Sequence, residues 1–579
     1  MLRAVSLKGR WMLRPYDKKK AAECTSWFED HDELEIDIQD SILTSLIAAG
    51  AVPDGRKWPT DNLWTIKRSV CWDSEGGTLH AIIKLPDAIK IRVNGSDVDS
   101  PDVTGLLREG ENVIEALVPG CFSGEQCNIF TSSTGLVYSA HFRSRRERDG
   151  YRVTLALDYL SYTEHREELR LELLGEVLMT ELSFGIGRTM KEVSLFIPGD
   201  KVQLWNVNGD GKQSVHRALI DLGPIELERK LSFRDIEVRD GKLYVNGEEF
   251  FAKGAVWPVG RFRDRNRIEA LIGAAKNANM NLLYIPKGHE ENFFYNECDR
   301  KGIIVLHEDN APSLDYHPSF LTGDVKYDIF NCIPHDTNYF QHILDAVALE
   351  RFMLKTRSSN ETNGVIYDGL LSTVTPEGKW KPAHYCTRRF YADLVPIMFL
   401  ENGKLCCYVS NDSDRDEEAE ISIKFMTYEG KKRDRMMFTV NAPAHTAVKI
   451  TEADISDVDT VKEFVFMKLR TFGIHRELTL LLDNISSCGF ALPEYQTSVR
   501  TISPRSFSIR VKASKPAFAV HLNMRDVDGS FSDSFFEVRP ESEKSVVFTA
   551  SRDMAEAEVL EKLEIYDLAH ALEEAGKEE

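Results

Sequence analysis

Residues 279–309 read NMNLLYIPKGHEENFFYNECDRKGIIVLHED. A short apolar run, a helix-like run and a second short apolar run follow one another, which is the repeating unit of a (β/α)8 barrel. In such a barrel the chemistry is carried at the C-terminal ends of the strands. Those ends hold Lys287, Gly288 and His289 after the first run, and His307, Glu308 and Asp309 after the second.

Outward from this stretch the texture changes twice. Up to about Ile236 the pattern is strand-like, with runs such as LHAIIKLP, YRVTLALDYL and LRLELLGEV broken by Asn-Gly, Gly-Gly and Asp-Gly, and two β-sandwiches account for it. From about Lys242 strands and helices alternate. Ile268, Leu271, Ile272 and Ala275 stand at i, i+3, i+4 and i+7, and Phe340, Ile343, Leu344 and Val347 repeat that spacing, so both segments predict helices with one apolar stripe against a sheet. After about Glu401 strands return in KLCCYVSNDS, AEISIKFMTYEG, FSIRVKAS and FAVHLNMRDV. Sandwiches therefore flank a central α/β unit on both sides.

The chain has 579 residues, 42% hydrophobic and 28% charged, with a net charge of −20. That charge argues against a nucleic-acid partner, whose phosphates need a basic surface. No apolar run approaches the roughly 18 residues of a membrane span, and MLRAVSLKGRWMLRPYDKKK lacks the apolar centre of a signal peptide, so a cytoplasmic protein with no membrane partner is expected. Ten cysteines at irregular spacings, without a CxxC pair, read as reduced and mostly buried thiols; no metal site and no cofactor are expected.

Several segments resemble the β-mannosidases of glycoside hydrolase family 2. KVQLWNVNGDGKQ (Lys201–Gln213) looks like their Leu-Trp-x-x-Asn-Gly-x-Gly-x-Gln strand signature. KLSFRDIEVRDGKLYVNGEEFFAKGAVWPV (Lys230–Val259) looks like the approach to the family's barrel, ending in Lys-Gly-Ala-x-Trp-Pro. FFYNECDRKGIIVLHED matches the second barrel helix and third strand, and GVIYDGLLSTVTPEGKWKPAHYCTRRFYADLVPI the eighth strand and helix. DSILTSLIAAGAVPDGRKWPTDNLW and GSFSDSFFEVRPESEKSVVF resemble the first and last sandwiches. The resemblance implies a multidomain β and α/β chain: a jelly-roll, sugar-binding-like domain over 1–136, an immunoglobulin-like sandwich over 137–238, a barrel region over 239–400, and immunoglobulin-like sandwiches over 401–490 and 491–579.

The barrel region is short for its role. Residues 242–400 are 159 positions, whereas a complete barrel takes about 250. Between the third strand and the eighth lie the 54 positions Asn310–Asn363, and one βαβ unit alone takes about 30. A truncated, half (β/α)8 barrel lacking strands four to seven is the expectation. Retaining glycosidases need two carboxyl groups about 5–5.5 Å apart; in this family the acid/base follows an asparagine ending strand four and the nucleophile ends strand seven. The Asn-Glu pairs here, Asn296-Glu297 and Asn360-Glu361, fall inside the second helix and ahead of the last strand. The family's arginine and Trp-Gly-Gly-Gly after strand two are replaced by Tyr284 and Pro286-Lys287-Gly288-His289, and its Trp-Gln and Asn-Asp after strand eight by Asp368-Gly369 and Leu371-Ser372. No catalytic residue carries over.

Four strands ordered eight, one, two, three leave two parallel edges unpaired, which proteins rarely tolerate. A homodimer whose two-fold axis closes two half-barrels into one is one solution; covering of the edges by 310–363 within the chain is another, and a separate chain supplying the missing strands is a third. At the mouth, Glu308, Asp368, His307 and Asp309 are candidate catalytic residues, and Trp257, Lys287 and His289 candidate substrate-binding residues. The bland alternatives are a solvated capping loop for His307-Glu308-Asp309, an exposed loop residue for His289, and a core position for Trp257; Trp205 and Trp380 read as core. The expected function is a carbohydrate-active protein with an oligosaccharide or glycoside ligand, the ancestral mechanism lost, either a glycosidase with a rebuilt site or a non-catalytic carbohydrate-binding or protein-interaction scaffold. A metal-using hydrolase is the remaining alternative.

Overall fold

The computed structural model describes residues 3–578 except 8, 20–26, 39–41, 43–44, 47–48, 53–61, 74–79, 86–87, 121, 123–126, 133–134, 210, 224, 240–241, 263, 287–289, 291, 308–319, 322–327, 331–338 and 361–363. At the N-terminal end, a six-stranded antiparallel sheet centred on Leu63–Trp72 and Gly110–Pro119 shares a core containing Trp11, Trp64 and Phe28 with a three-stranded sheet, Arg3–Ser6, Asn128–Ser132 and His80–Lys84. A second pair of sheets, three-stranded around Gly150–Ser161 and four-stranded around His165–Leu173 and His216–Leu222, encloses a separate core of Val153, Leu155, Leu169 and Ile220. Two further sheet pairs follow Leu394 and Tyr495, each with its own apolar cluster.

Between them lies a parallel sheet with helices. Its elements are β1 (Ala252–Val256), α1 (Arg265–Asn277), β2 (Leu282–Ile285), α2 (Asn292–Lys301), β3 (Ile304–His307), β4 (Phe320–Leu321), β5 (Asp328–Phe330), α3 (Tyr339–Arg357), β6 (Gly364–Tyr367) and α4 (Pro382–Phe390). The strand order is β4-β3-β2-β1-β6-β5, all parallel. The four strands read as eighth, first, second and third are thus neighbours. Their outer edges carry short strands of the same chain: Val305 and Leu306 pair with Phe320 and Leu321, while Val365 to Tyr367 pair with Asp328 to Phe330.

Both faces of this sheet are buried, as continuous apolar runs predict for parallel strands. Ala255, Leu283, Ile285, Val305, Val365 and Tyr367 pack with the helices. The alternate row, Ala252, Leu282, Tyr284, Ile304, Leu306 and Ile366, packs on Trp205, Val207, Leu243, Val245 and Phe250. Each Leu or Ile so buried contributes roughly 1.5–3 kcal/mol relative to exposure. In α1 the expected stripe Ile268, Leu271, Ile272 and Ala275 is buried, and the Asp264 side chain caps the helix by accepting from the Asn266 amide at 2.8 Å. Strand β1 needs Gly254, because a Cβ there would stand 2.6 Å from the Leu282 carbonyl oxygen.

The Leu-Trp-x-x-Asn-Gly signature works as a clamp. Trp205 Nε1 donates to the Asp299 carbonyl at 2.8 Å near the end of α2, and Asn208 Nδ2 donates to the carbonyls of Lys276 (3.0 Å) and Met280 (2.9 Å) at the end of α1. The Asp299 and Lys276 carbonyls lie in the last turns of their helices, where carbonyls lack an i+4 partner, and that of Met280 lies just before β2. Trp205 is fully buried, in agreement with its reading as core, and the Arg234 guanidinium lies 4.0 Å over its ring. Seven of the described cysteines are free, six of them buried and Cys71 exposed. No described helix is long and apolar enough to cross a membrane.

Candidate functional site

A strand alternates its side chains between two faces, so a position at the strand end inherits the face of the residue two before it. Trp257 continues the row of Ala255, and His307 that of Val305, which is the row packed against helices. Both are buried at 2% exposure. Asp368 follows Ile366, in the opposite row, and is partly exposed. Of the residues expected to share a mouth, the structure places Trp257 and His307 among the helices and Asp368 in the other row. Lys287, His289, Glu308 and Asp309 lie outside the described residues.

Around Trp257 and His307 the helix side holds a small polar network that the sequence did not announce. Glu290, 7% exposed, accepts through Oε1 from Trp257 Nε1 at 3.0 Å and from the Gly260 amide at 2.7 Å. The Glu290 amide donates to Tyr295 Oη at 3.3 Å, and Tyr295 Oη lies 3.2 Å from His307 Nε2. Burial raises the Tyr295 phenol pKa, so it stays protonated and serves as a hydrogen-bond group rather than a base. One carboxylate, one phenol and one imidazole therefore connect the ends of β1, β2 and β3. Its only legible hint was a carboxylate five residues beyond the end of β2.

A second candidate, also missed by the sequence, is a cleft of about 760 Å³ between α3, α4 and the two C-terminal sandwiches. Its size falls within the range of roughly 300–1,000 Å³ typical of ligand sites, but its walls mix apolar residues with many charged ones, among them Glu350, Arg389, Asp533 and Glu537. Burial pushes the Glu537 carboxyl up to about 7, against a hydrogen bond donated by the Thr479 hydroxyl. Burial also raises Glu350 on α3, opposed by Arg389 and Arg351. A carboxyl half-protonated near neutrality can donate or accept a proton at working pH. Asp533, by contrast, is held low: burial opposes its charge, but Arg389 and Lys544 outweigh it. These groups come from residues 350, 389 and 533–537, and no spacing in the sequence connects them. Among the described residues no three His, Cys, Asp or Glu converge as a metal requires.

Residues 490–571 match the mannosidase Ig-fold domain family. A probable β-mannosidase of Caenorhabditis elegans is 30% identical over 139 residues, 20% of this chain and 15% of that protein. The β-mannosidase of Capra hircus is 29% identical over 139 residues, 20% of this chain and 16% of that protein. The match thus spans about one sixth of these relatives' length. A crystal structure of a β-D-mannosidase from Dictyoglomus thermophilum superposes with a TM-score of 0.79 at 16% identity, covering 98% of this chain and 99% of that one. An exo-chitosanase from Amycolatopsis orientalis gives 0.71 at 11% identity, over 98% and 99%. The chain is β-mannosidase-like, of glycoside hydrolase family 2 ancestry.

Proposed function

We propose that this is a carbohydrate-active protein that binds an oligosaccharide or glycoside and has lost the retaining mechanism of its ancestors. The observation that supports this reading is the strand order: β6 lies beside β1, and between β3 and β6 the described strands are β4 and β5, of two and three residues. On this reading the central sheet is a truncated half-barrel without the two strands that bear the family's acid/base and nucleophile. The chain divides near 136, 238, 400 and 490, a division supported by the separate apolar cores on either side of the parallel sheet.

Asp368, partly exposed just beyond β6, favours a second reading, a glycosidase with a rebuilt site in which Glu308 and Asp309 take part. Purified protein and its Glu308→Gln and Asp368→Asn variants, assayed on aryl β- and α-glycosides with β-mannoside included, separate the two. Turnover lost in either variant establishes the rebuilt site; glycoside binding without turnover, indifferent to both substitutions, establishes the binding reading. Pairing of β4 and β5 onto β3 and β6 supports closure within the chain, and a homodimer would pair the outer edges of β4 and β5 instead. A sedimentation mass decides between monomer and dimer. The acidic net charge of −20 supports the absence of a nucleic-acid partner.

A further inference from the structure

The edge of the first sandwich, the second sandwich and helix α2 line a groove of about 1490 Å³. The chain carries −20 overall, yet seven Lys and Arg side chains line this groove against three carboxylates. Four of the seven are in ion pairs: Arg217 with Glu228, Arg234 with Asp299, Arg300 with Glu297, and Arg143 with Glu192. For Lys84, Arg229 and Lys230 no ion-pair partner stands among the described residues.

An exposed cation needs no partner, because water solvates it; Lys84 is different. It ends the strand His80–Lys84, is half-buried, and its Nζ donates to the Tyr138 carbonyl at 3.1 Å, leaving further N–H bonds for a ligand. Burial lowers its pKa, and the facing Arg229 lowers it further. The Arg229 guanidinium donates through Nη1 to the Glu228 carbonyl at 2.9 Å and keeps its remaining donors free for the groove. Lys84 and Arg229 line the same groove; like charges repel, and a bound anion would attract both. The Tyr138 ring has Lys84 Nζ 5.9 Å and Arg188 Cζ 4.7 Å from its centroid, so an aromatic ring adjoins Lys84 in the groove wall.

We propose that this groove binds the anionic group, carboxylate or sulfate, of an acidic saccharide, held between Lys84 and Arg229. The saccharide part rests on the carbohydrate reading above; the anion part stands on the groove itself.

The test is calorimetric titration of the full-length protein with glucuronate, glucose 6-sulfate and glucose at matched ionic strength. Saturable binding of one acidic sugar and none of glucose is the expected result, and which acid binds identifies the anion. Affinity should fall at least about tenfold in Lys84→Gln and in Arg229→Gln, and stay unchanged in Lys512→Gln on the C-terminal sandwich. Arg229 is exposed, so its variant folds even where Lys84→Gln does not, and thermal melts check both. No saturable binding of either acidic sugar, glucose binding as tightly as glucuronate, or parental affinity in both groove variants overturns the inference. Protein that fails here but binds neutral glycosides in the panel above loses this inference and keeps the carbohydrate reading.

Discussion

Substitution of Lys253 by Met tests how the central sheet is fastened to the sandwich that follows it. Lys253 on β1 donates to Asp393 at 2.6 Å and lies 3.2 Å from Asp412, while Arg357 at the end of α3 reaches the same Asp412 oxygen at 2.6 Å. Side-chain exposures are 6% for Lys253, 7% for Asp412, 0% for Arg357 and 52% for Asp393. Breaking a buried pair by removing one partner costs about 3–5 kcal/mol, because the other charge stays buried and alone. Lys253→Met leaves neither acid in that state: Asp412 keeps Arg357, and Asp393 turns to water. The expected loss is therefore smaller, roughly 1–3 kcal/mol. Asp412→Asn takes from the fully buried Arg357 the carboxylate it is paired with, leaving it the carbonyls of Phe390, Ala392 and Asp393, and the full 3–5 kcal/mol is expected. Urea unfolding of both variants and the double variant reads the order, taken on the transition that reports the parallel sheet. Losses below about 0.5 kcal/mol in both, or a larger loss for Lys253→Met, would refute the reasoning.

Asn208→Ala should cost about 1–2 kcal/mol, since the Lys276 and Met280 carbonyls both lose the Asn208 amide donor, and hydrogen exchange should quicken first at the end of α1. Glu290→Ala strands the Trp257 indole and Gly260 amide donors and should cost roughly 2–5 kcal/mol, whereas Glu290→Gln keeps an acceptor oxygen and should cost about 1; equal losses in thermal melts would show that the hydrogen bonds do not hold the site. Glu537, raised by burial from its ordinary 4.5 to about 7, contributes stability that is full below pH 4.5 and lost as pH rises through 7. Melting temperature should accordingly fall between pH 5 and pH 8 by the equivalent of about 2 kcal/mol, and Glu537→Gln should flatten that dependence.

The order of the parallel strands was legible because each keeps its own apolar run and the 54 residues before β6 leave little room for more. What the sequence concealed at the site was direction. Trp257 and His307 do stand at strand ends, but one residue decides the face, and their parity sends both among the helices. Glu290 hid in a loop whose one distinguishing mark is the indole it accepts from, a contact 33 residues back along the chain. The cleft around Glu537 was wholly silent, since its walls converge from α3, α4 and two sandwiches.

The proposed reading, a fold retained apart from its ancestral chemistry, expects family-like residues to gather on one face of the sheet. Trp205 and Asn208 bind the C-terminal ends of α2 and α1, which lie where β3 and β2 begin. Lys253 stands near the start of β1 and reaches the next sandwich, and Gly254 permits the close pairing of β1 with β2. All four serve the face where strands start, the face on which barrels store stability. The departures from the family, Pro286 after β2 and Asp368-Gly369 after β6, lie at the opposite ends, where barrels place catalysis. On the proposed reading, a chain that keeps its architecture and binds a ligand needs the first face alone.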